Sequence, residues 1–196
     1  NQIGVPLTLL RLQQEQYAVI ELGTNQPGEI AYLTGLVLPD IALVNNVMPA
    51  HIGGFGSLDA IAQEKGEIYR RLQPEQTAVI NLDDSFAAQF CTSTQGCRQV
   101  GFSLDPADKD FATVFASALQ WDQWGRASFS LNFADAIASV PLKVPGLHYV
   151  RNALAAAAWK VAPALAFGNS VVFKPADLVP GSSWAIVEIL NRHGLP

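Results

Sequence analysis

The chain has 196 residues, of which 49% are hydrophobic and 15% charged, and it carries a formal net charge of -5. That balance supports one sizeable core, excludes a disordered or fibrous chain, and argues against a nucleic-acid footprint. It suits a small-molecule enzyme whose anionic ligands are held locally by backbone amides, cations or metal.

In chain order, YAVIEL (17–22), IALVNNV (41–47) and TAVINL (77–82) are short apolar runs ending in polar residues or glycine, the pattern of parallel strands buried on both faces. Between them, Pro27 suits the first turn of a helix running to about Val37, and Ser57 the N-cap of a helix over LDAIAQEKGEIYRRL. The alternation predicts an α/β fold with a mostly parallel, doubly wound sheet. From 97 to 144 the strands come closer together, as RQVGFS, ATVFASALQW, RASFSLNF and IASVPLKV, with DQWG (122–125) as a hairpin turn. These predict an antiparallel edge or flap. An alanine-rich helix follows, and SVVFKP with a helix from about Ser182 to Arg192 reads as a C-terminal βα unit.

Cys91 and Cys97 lack the CxxC spacing of a redox motif and the further ligands of a zinc site, so free cytoplasmic thiols are expected. The longest apolar run, Ala153 to Phe167, is broken by Lys160 and Pro163, which argues against a membrane span. With no basic-plus-apolar signal at the start, the expectation is a soluble cytoplasmic protein. The sequence opens on Asn1, inside an ongoing pattern, and is expected to be a fragment.

In the helix after Ser57, the positions Leu58, Ile61, Ala62, Ile68, Tyr69 and Leu72 form a buried stripe, and Lys65 lies on it. One reading packs the lysine stem and lets the ammonium reach the rim. The other is chemical: burial lowers an amine's pKa, and a neutral amine reacts with carbon dioxide to give a carbamate, an oxygen ligand for a hard cation. Glu21 and His51 both sit past the carboxyl ends of predicted strands, where open α/β sheets place ligands. Together the three would offer a carboxylate, an imidazole and a carbamate. For magnesium, which prefers oxygen, the histidine is the atypical member.

The stretches NQIGVPLTLLRL, YAVIELGTNQPGEIAYLTGLVLPDIALVNNVMPAHIGGFGSLDAIAQEKGEI, AVINLDD and PGLHYVRNALAAAA resemble, in order, the central ATP-binding domain of the Mur ligases, over about 1–158. The resemblance implies that family's P-loop-like fold and ATP-dependent amide ligation in peptidoglycan precursor synthesis. Within it, the words are nearest to enzymes that add D-alanyl-D-alanine to UDP-N-acetylmuramoyl-tripeptide through an acyl phosphate. It implies ATP and Mg2+ as cofactors, nucleotide and UDP-muramoyl peptide as partners, and a monomer without nucleic acid or membrane. By position, Glu21, His51 and Lys65 match the magnesium ligands, Lys65 being the lysine that is carbamylated. Asn152 matches an asparagine that contacts adenine, Asn81 and Asp83 fit the NADD motif on the ATP side, and Asn1 fits the second asparagine of a substrate-side NN motif. Departures are Gln26 for a histidine, Gly53 for a glutamate, and Leu147 and Tyr149 beside the adenine position. No G-x-x-G-K-[ST] phosphate loop occurs in the chain, so the first strand and loop of that fold are expected to be lacking and this chain alone is not expected to catalyse ligation.

From about 159 to 196, WKVAPALAFGNSVVFKPADLVPG resembles instead the cofactor domain of aldehyde dehydrogenases. Lys174 and Asp177 match the lysine and acid that contact the adenosine ribose of NAD in that family. Its catalytic cysteine, glutamate base and glycine motif have no counterpart in this segment, so NAD use and dehydrogenase activity are not expected. The alternatives kept open are an aldehyde dehydrogenase fragment and a non-catalytic nucleotide-binding chimera, the two families meeting within the alanine-rich helix.

Overall fold

A computed structural model describes residues 1–15, 18–49, 52–106, 111–133 and 136–167. His51, Lys174, Asp177, the SVVFKP stretch and the helix expected at 182–192 lie outside the described residues. In order, the elements are α1 (Gly4–Leu9), α2 (Glu29–Val37), β1 (Ile41–Val44), α3 (Ile52–Phe55), α4 (Leu58–Gly66), a 3-10 turn (Glu67–Tyr69), β2 (Thr77–Asn81), α5 (Ala87–Ser93), β3 (Arg98–Ser103), β4 (Ala112–Trp121), β5 (Arg126–Phe133), β6 (Ala136–Pro145) and α6 (Leu147–Phe167). The strands form one mixed sheet in chain order, β1 to β6. β3 pairs with β4 in parallel, and β4, β5 and β6 are antiparallel.

The α/β class and the antiparallel edge are as expected, with two corrections. RQVGFS does not belong to the antiparallel flap, because β3 runs parallel to β4. YAVIEL is not a buried strand: residues 18–22 carry no ladder, and Val19 is 50% exposed. An apolar run becomes a strand when neighbours bond its backbone on the sheet plane and cover its faces, and none of the described strands does so here.

The chain divides into two compact units, residues 1–78 with 84–99, and 79–83 with 100–196. In the first, Leu33, Ile61, Ala62, Ala78 and Phe90 are buried, and Tyr69 packs its ring edge-on to Phe90 at 5.6 Å. The Tyr69 hydroxyl accepts the Val44 N–H at 2.9 Å, so the buried phenol is satisfied and also ties the 3-10 turn to β1. α4 begins as its sequence predicts: the Ser57 hydroxyl accepts the Ala60 N–H at 3.1 Å. It ends earlier than predicted, at Gly66, where a Cβ would meet the Phe90 ring at 3.2 Å.

In the second unit, Val114, Phe129, Leu131, Val140 and Leu142 point from the strands into a core closed by Val150, Ala153, Leu154, Ala157 and Ala158 of α6. Alanine both favours the helix and lets its axis approach the strands. Each fully buried large side chain, Phe102 or Leu154 among them, contributes about 1.5–3 kcal/mol. Gly101 in β3 marks a close approach, since a Cβ there would lie 2.6 Å from Leu82 Cδ1 and 2.8 Å from the Phe111 carbonyl oxygen.

Candidate functional site

The first unit gathers polar side chains around the loops that precede α2 and follow β1. A cleft of about 340 Å3 is lined by Asn1, Glu21, Gly23, Thr24 and Asn25. Two of the expected site residues, Asn1 and Glu21, therefore share one cavity, and Glu21 is exposed on it. The Asn1 Oδ1 accepts the N–H groups of Ile3 at 3.1 Å and Gly4 at 2.7 Å, fixing the start of α1.

The cleft wall at Thr24 and Asn25 is held by two carboxylates that the sequence reading missed. Glu29 accepts from the Asn25 N–H at 2.6 Å and the Gln26 N–H at 3.2 Å, and these bonds hold its pKa below the usual carboxylate range. Glu64, only 6% exposed, reaches from α4 to accept the N–H groups of Gly28 and Ile30, each at 2.8 Å. The Thr24 hydroxyl lies 3.3 Å from both carboxylates and 2.9 Å from the Gln26 carbonyl. Gly28, the N-cap of α2 at φ +90°, has no side chain for capping, and Glu64 takes that office from another helix. A signal for Glu64 existed, as it lies three residues after Ile61 and four before Ile68 on the inward stripe.

Lys65, the next residue, is half-buried and donates from Nζ to the Asn46 carbonyl at 2.7 Å. Burial pushes its pKa below the ordinary lysine range, while the Asp84 carboxylate acts in the opposite direction. Asp84 also fixes the loop that presents Asn46: it accepts the Val47 N–H at 2.7 Å and the Phe86 N–H at 2.9 Å. The inward lysine of the sequence reading is thus observed, with the ammonium on a backbone oxygen. This environment fits carbamate chemistry, since a carbamylated amine keeps one N–H for Asn46 and adds two oxygen donors suited to a hard cation. Among the described residues, no three His, Cys, Asp or Glu side chains converge as a ready-made metal cluster.

The second unit holds Asn81, Asp83 and Asn152. Asn81 is buried, and its Oδ1 accepts the Asp83 N–H at 3.0 Å. The Asp83 carboxylate accepts the Ser103 hydroxyl at 2.6 Å and the Leu104 N–H at 2.7 Å, joining the ends of β2 and β3. Asn152 is half-buried on α6. Back in the first unit, Cys91 and Cys97 are free thiols, as expected, with burial pushing both pKa values up. No helix among the described residues is long and apolar enough to cross a membrane.

Comparison with known proteins decides the family. The model of the Mur ligase middle domain matches residues 1–159. The chain belongs to that family. It is 44% identical over 160 residues to the UDP-N-acetylmuramoyl-tripeptide–D-alanyl-D-alanine ligase of Escherichia coli (strain K12), covering 81% of this chain and 34% of that protein. The Mycobacterium tuberculosis (strain ATCC 25618 / H37Rv) protein of the same name is 37% identical, with 81% and 30% covered. Among solved structures, a crystal structure of MurF from Acinetobacter baumannii superposes with a TM-score of 0.76 at 36% identity, over 94% of this chain and 38% of that one. This Mur ligase chain spans about a third of the length of the curated relatives it matches. The aldehyde dehydrogenase family model matches residues 152–196, so the two matches overlap within α6.

Proposed function

We propose that this Mur ligase chain is the nucleotide-binding centre of a cytoplasmic, ATP-dependent amide ligase that joins D-alanyl-D-alanine to UDP-N-acetylmuramoyl-tripeptide. The observation that carries the reading is Lys65, a half-buried amine with a depressed pKa beside Asn46, in a stretch matched by the family. A free carboxylate is a poor electrophile. Transfer of the γ-phosphoryl group of ATP to the substrate carboxylate gives an acyl phosphate; the dipeptide amine then attacks its carbonyl carbon, the amide bond forms and phosphate leaves.

Glu21, His51 and a carbamylated Lys65 would hold Mg2+, which when bound neutralises charge developing on the phosphates. The chain's own residues do the positioning. Asn46 orients the Lys65 amine, Asp84 fixes Asn46, and Glu21 faces the cleft with Asn1, which is assigned to the substrate side. Asn81, Asp83 and Asn152 are assigned to the ATP side. Residues 1–158 are read as an incomplete central domain and 159–196 as an aldehyde dehydrogenase-like segment, with Lys174 and Asp177 at positions of NAD-type contacts. Ligation by this chain alone is not expected, because no phosphate-cradling glycine loop is among its residues.

The test is carbon NMR of the chain in labelled bicarbonate with Mg2+, alongside calorimetric titration with ATP and with NAD. One carbamate resonance, lost in Lys65→Arg, and binding of ATP in preference to NAD are expected. A wild-type spectrum without a carbamate resonance, or NAD binding without ATP binding, overturns the reading.

A further inference from the structure

Glu64 and Lys65 are consecutive on α4, yet they serve different loops: Lys65 lies on Asn46 after β1, and Glu64 reaches the loop before α2. The Glu64 carboxylate is almost fully buried and receives two backbone N–H groups at 2.8 Å. It fills the N-terminus of α2, so those amides are not available to a phosphate. The same loop is held on its other flanks. Glu29 takes the Asn25 N–H at 2.6 Å, and α3 approaches so closely that a Cβ on Gly54 would stand 2.8 Å from the Asn25 carbonyl oxygen. Thr24 and Asn25, so restrained, form part of the cleft wall: both lie within four residues of Glu21 and line the same cavity.

We propose that Glu64 is a positioning residue for the cleft, fixing Thr24 through its hydroxyl at 3.3 Å and the start of α2 through Gly28 and Ile30, and through them the stretch that carries Glu21 as a cation ligand. The inference rests on the cation site proposed above. The geometry gives it content: a carboxylate with two oxygens satisfies Gly28 and Ile30 together, a glutamine keeps one acceptor oxygen and brings a competing donor, and an alanine keeps neither.

The experiment is Mn2+ titration of the wild-type chain, Glu64→Gln and Glu64→Ala by electron paramagnetic resonance, at a temperature where circular dichroism shows each protein folded. Affinity is expected to fall in the order wild type, Gln, Ala, with the last at least about tenfold weaker, the range seen when residues supporting a metal ligand are removed. Should the alanine variant not fold, the glutamine variant decides by the same affinity measurement, together with hydrogen exchange at Gly28 and Ile30. Wild-type affinity in a folded variant overturns the role of Glu64 alone. Failure of the wild-type chain to bind Mn2+ overturns the cation site itself, and this inference with it.

Discussion

Two carboxylates in this Mur ligase chain do similar work by different routes. Asp122 closes the β4–β5 hairpin, accepting the N–H groups of Trp124 and Arg126 at 2.9 Å each and pairing with the Arg126 guanidinium at 2.6 Å. Every partner lies within four residues, and both side chains are open to solvent. Glu64 also collects two backbone amides, but from 34 and 36 residues away and with only 6% of its surface exposed. The local clamp orders a turn that the strands would close anyway. The distant one joins two helices, and its loss leaves the buried Ile30 N–H with no solvent to replace it, while the exposed Gly28 N–H can turn to water.

Breaking the distant clamp has the largest expected effect. Glu64→Ala is expected to destabilise the chain by about 2 kcal/mol, because the buried Ile30 N–H loses a charged acceptor inside the protein; urea unfolding with an unchanged m-value checks it. A loss no larger than that of a surface substitution would mean that the buried carboxylate holds the chain no better than an exposed one. Next comes Ser57→Ala, which removes a local cap on the same helix and is expected to cost about 1 kcal/mol. Equal losses for Ser57 and Glu64 in the same denaturant series would mean that burial and distance add nothing.

The smallest effect belongs to Asp122. Its pKa is lowered first by the Arg126 backbone N–H, then by the Arg126 side chain and the Trp124 N–H. A carboxylate with a depressed folded pKa contributes fully above its unfolded value, about 3.9, and the contribution fades as pH falls through the lower folded value. The amide shifts of Trp124 and Arg126 are therefore expected to titrate together with a midpoint below that value, with little change in global stability. A midpoint at or above it would show that the hairpin bonds do not hold the charge.

What was legible in the sequence follows the same division. The DQWG turn, the Ser57 cap and the alternating strands from 112 to 145 are local patterns, and each is found where the spacing put it. Gly125, at φ +71°, supplies the left-handed position the turn needs. Lys65 was legible because helical periodicity turns it inward, and its partner was not, because Asn46 offers only a backbone oxygen. The role of Asp84 and the partners of Glu64 are hidden for a related reason: helical spacing turns Glu64 inward, but neither spacing nor residue type says which distant amides an acidic group will cap.

The sequence by itself determined the family, the α/β alternation, the hairpin and the free thiols, since these depend on composition, local periodicity and words that persist in order along the chain. Only the tertiary structure decided that residues 18–22 form no ladder, that β3 joins the parallel part of the sheet, and that Glu64 closes the N-terminus of α2. The physical reason is common to all three. Strand pairing and buried charge are settled by groups far apart in the chain, and a residue's own neighbours in sequence do not say which backbone amides the fold will bring to it.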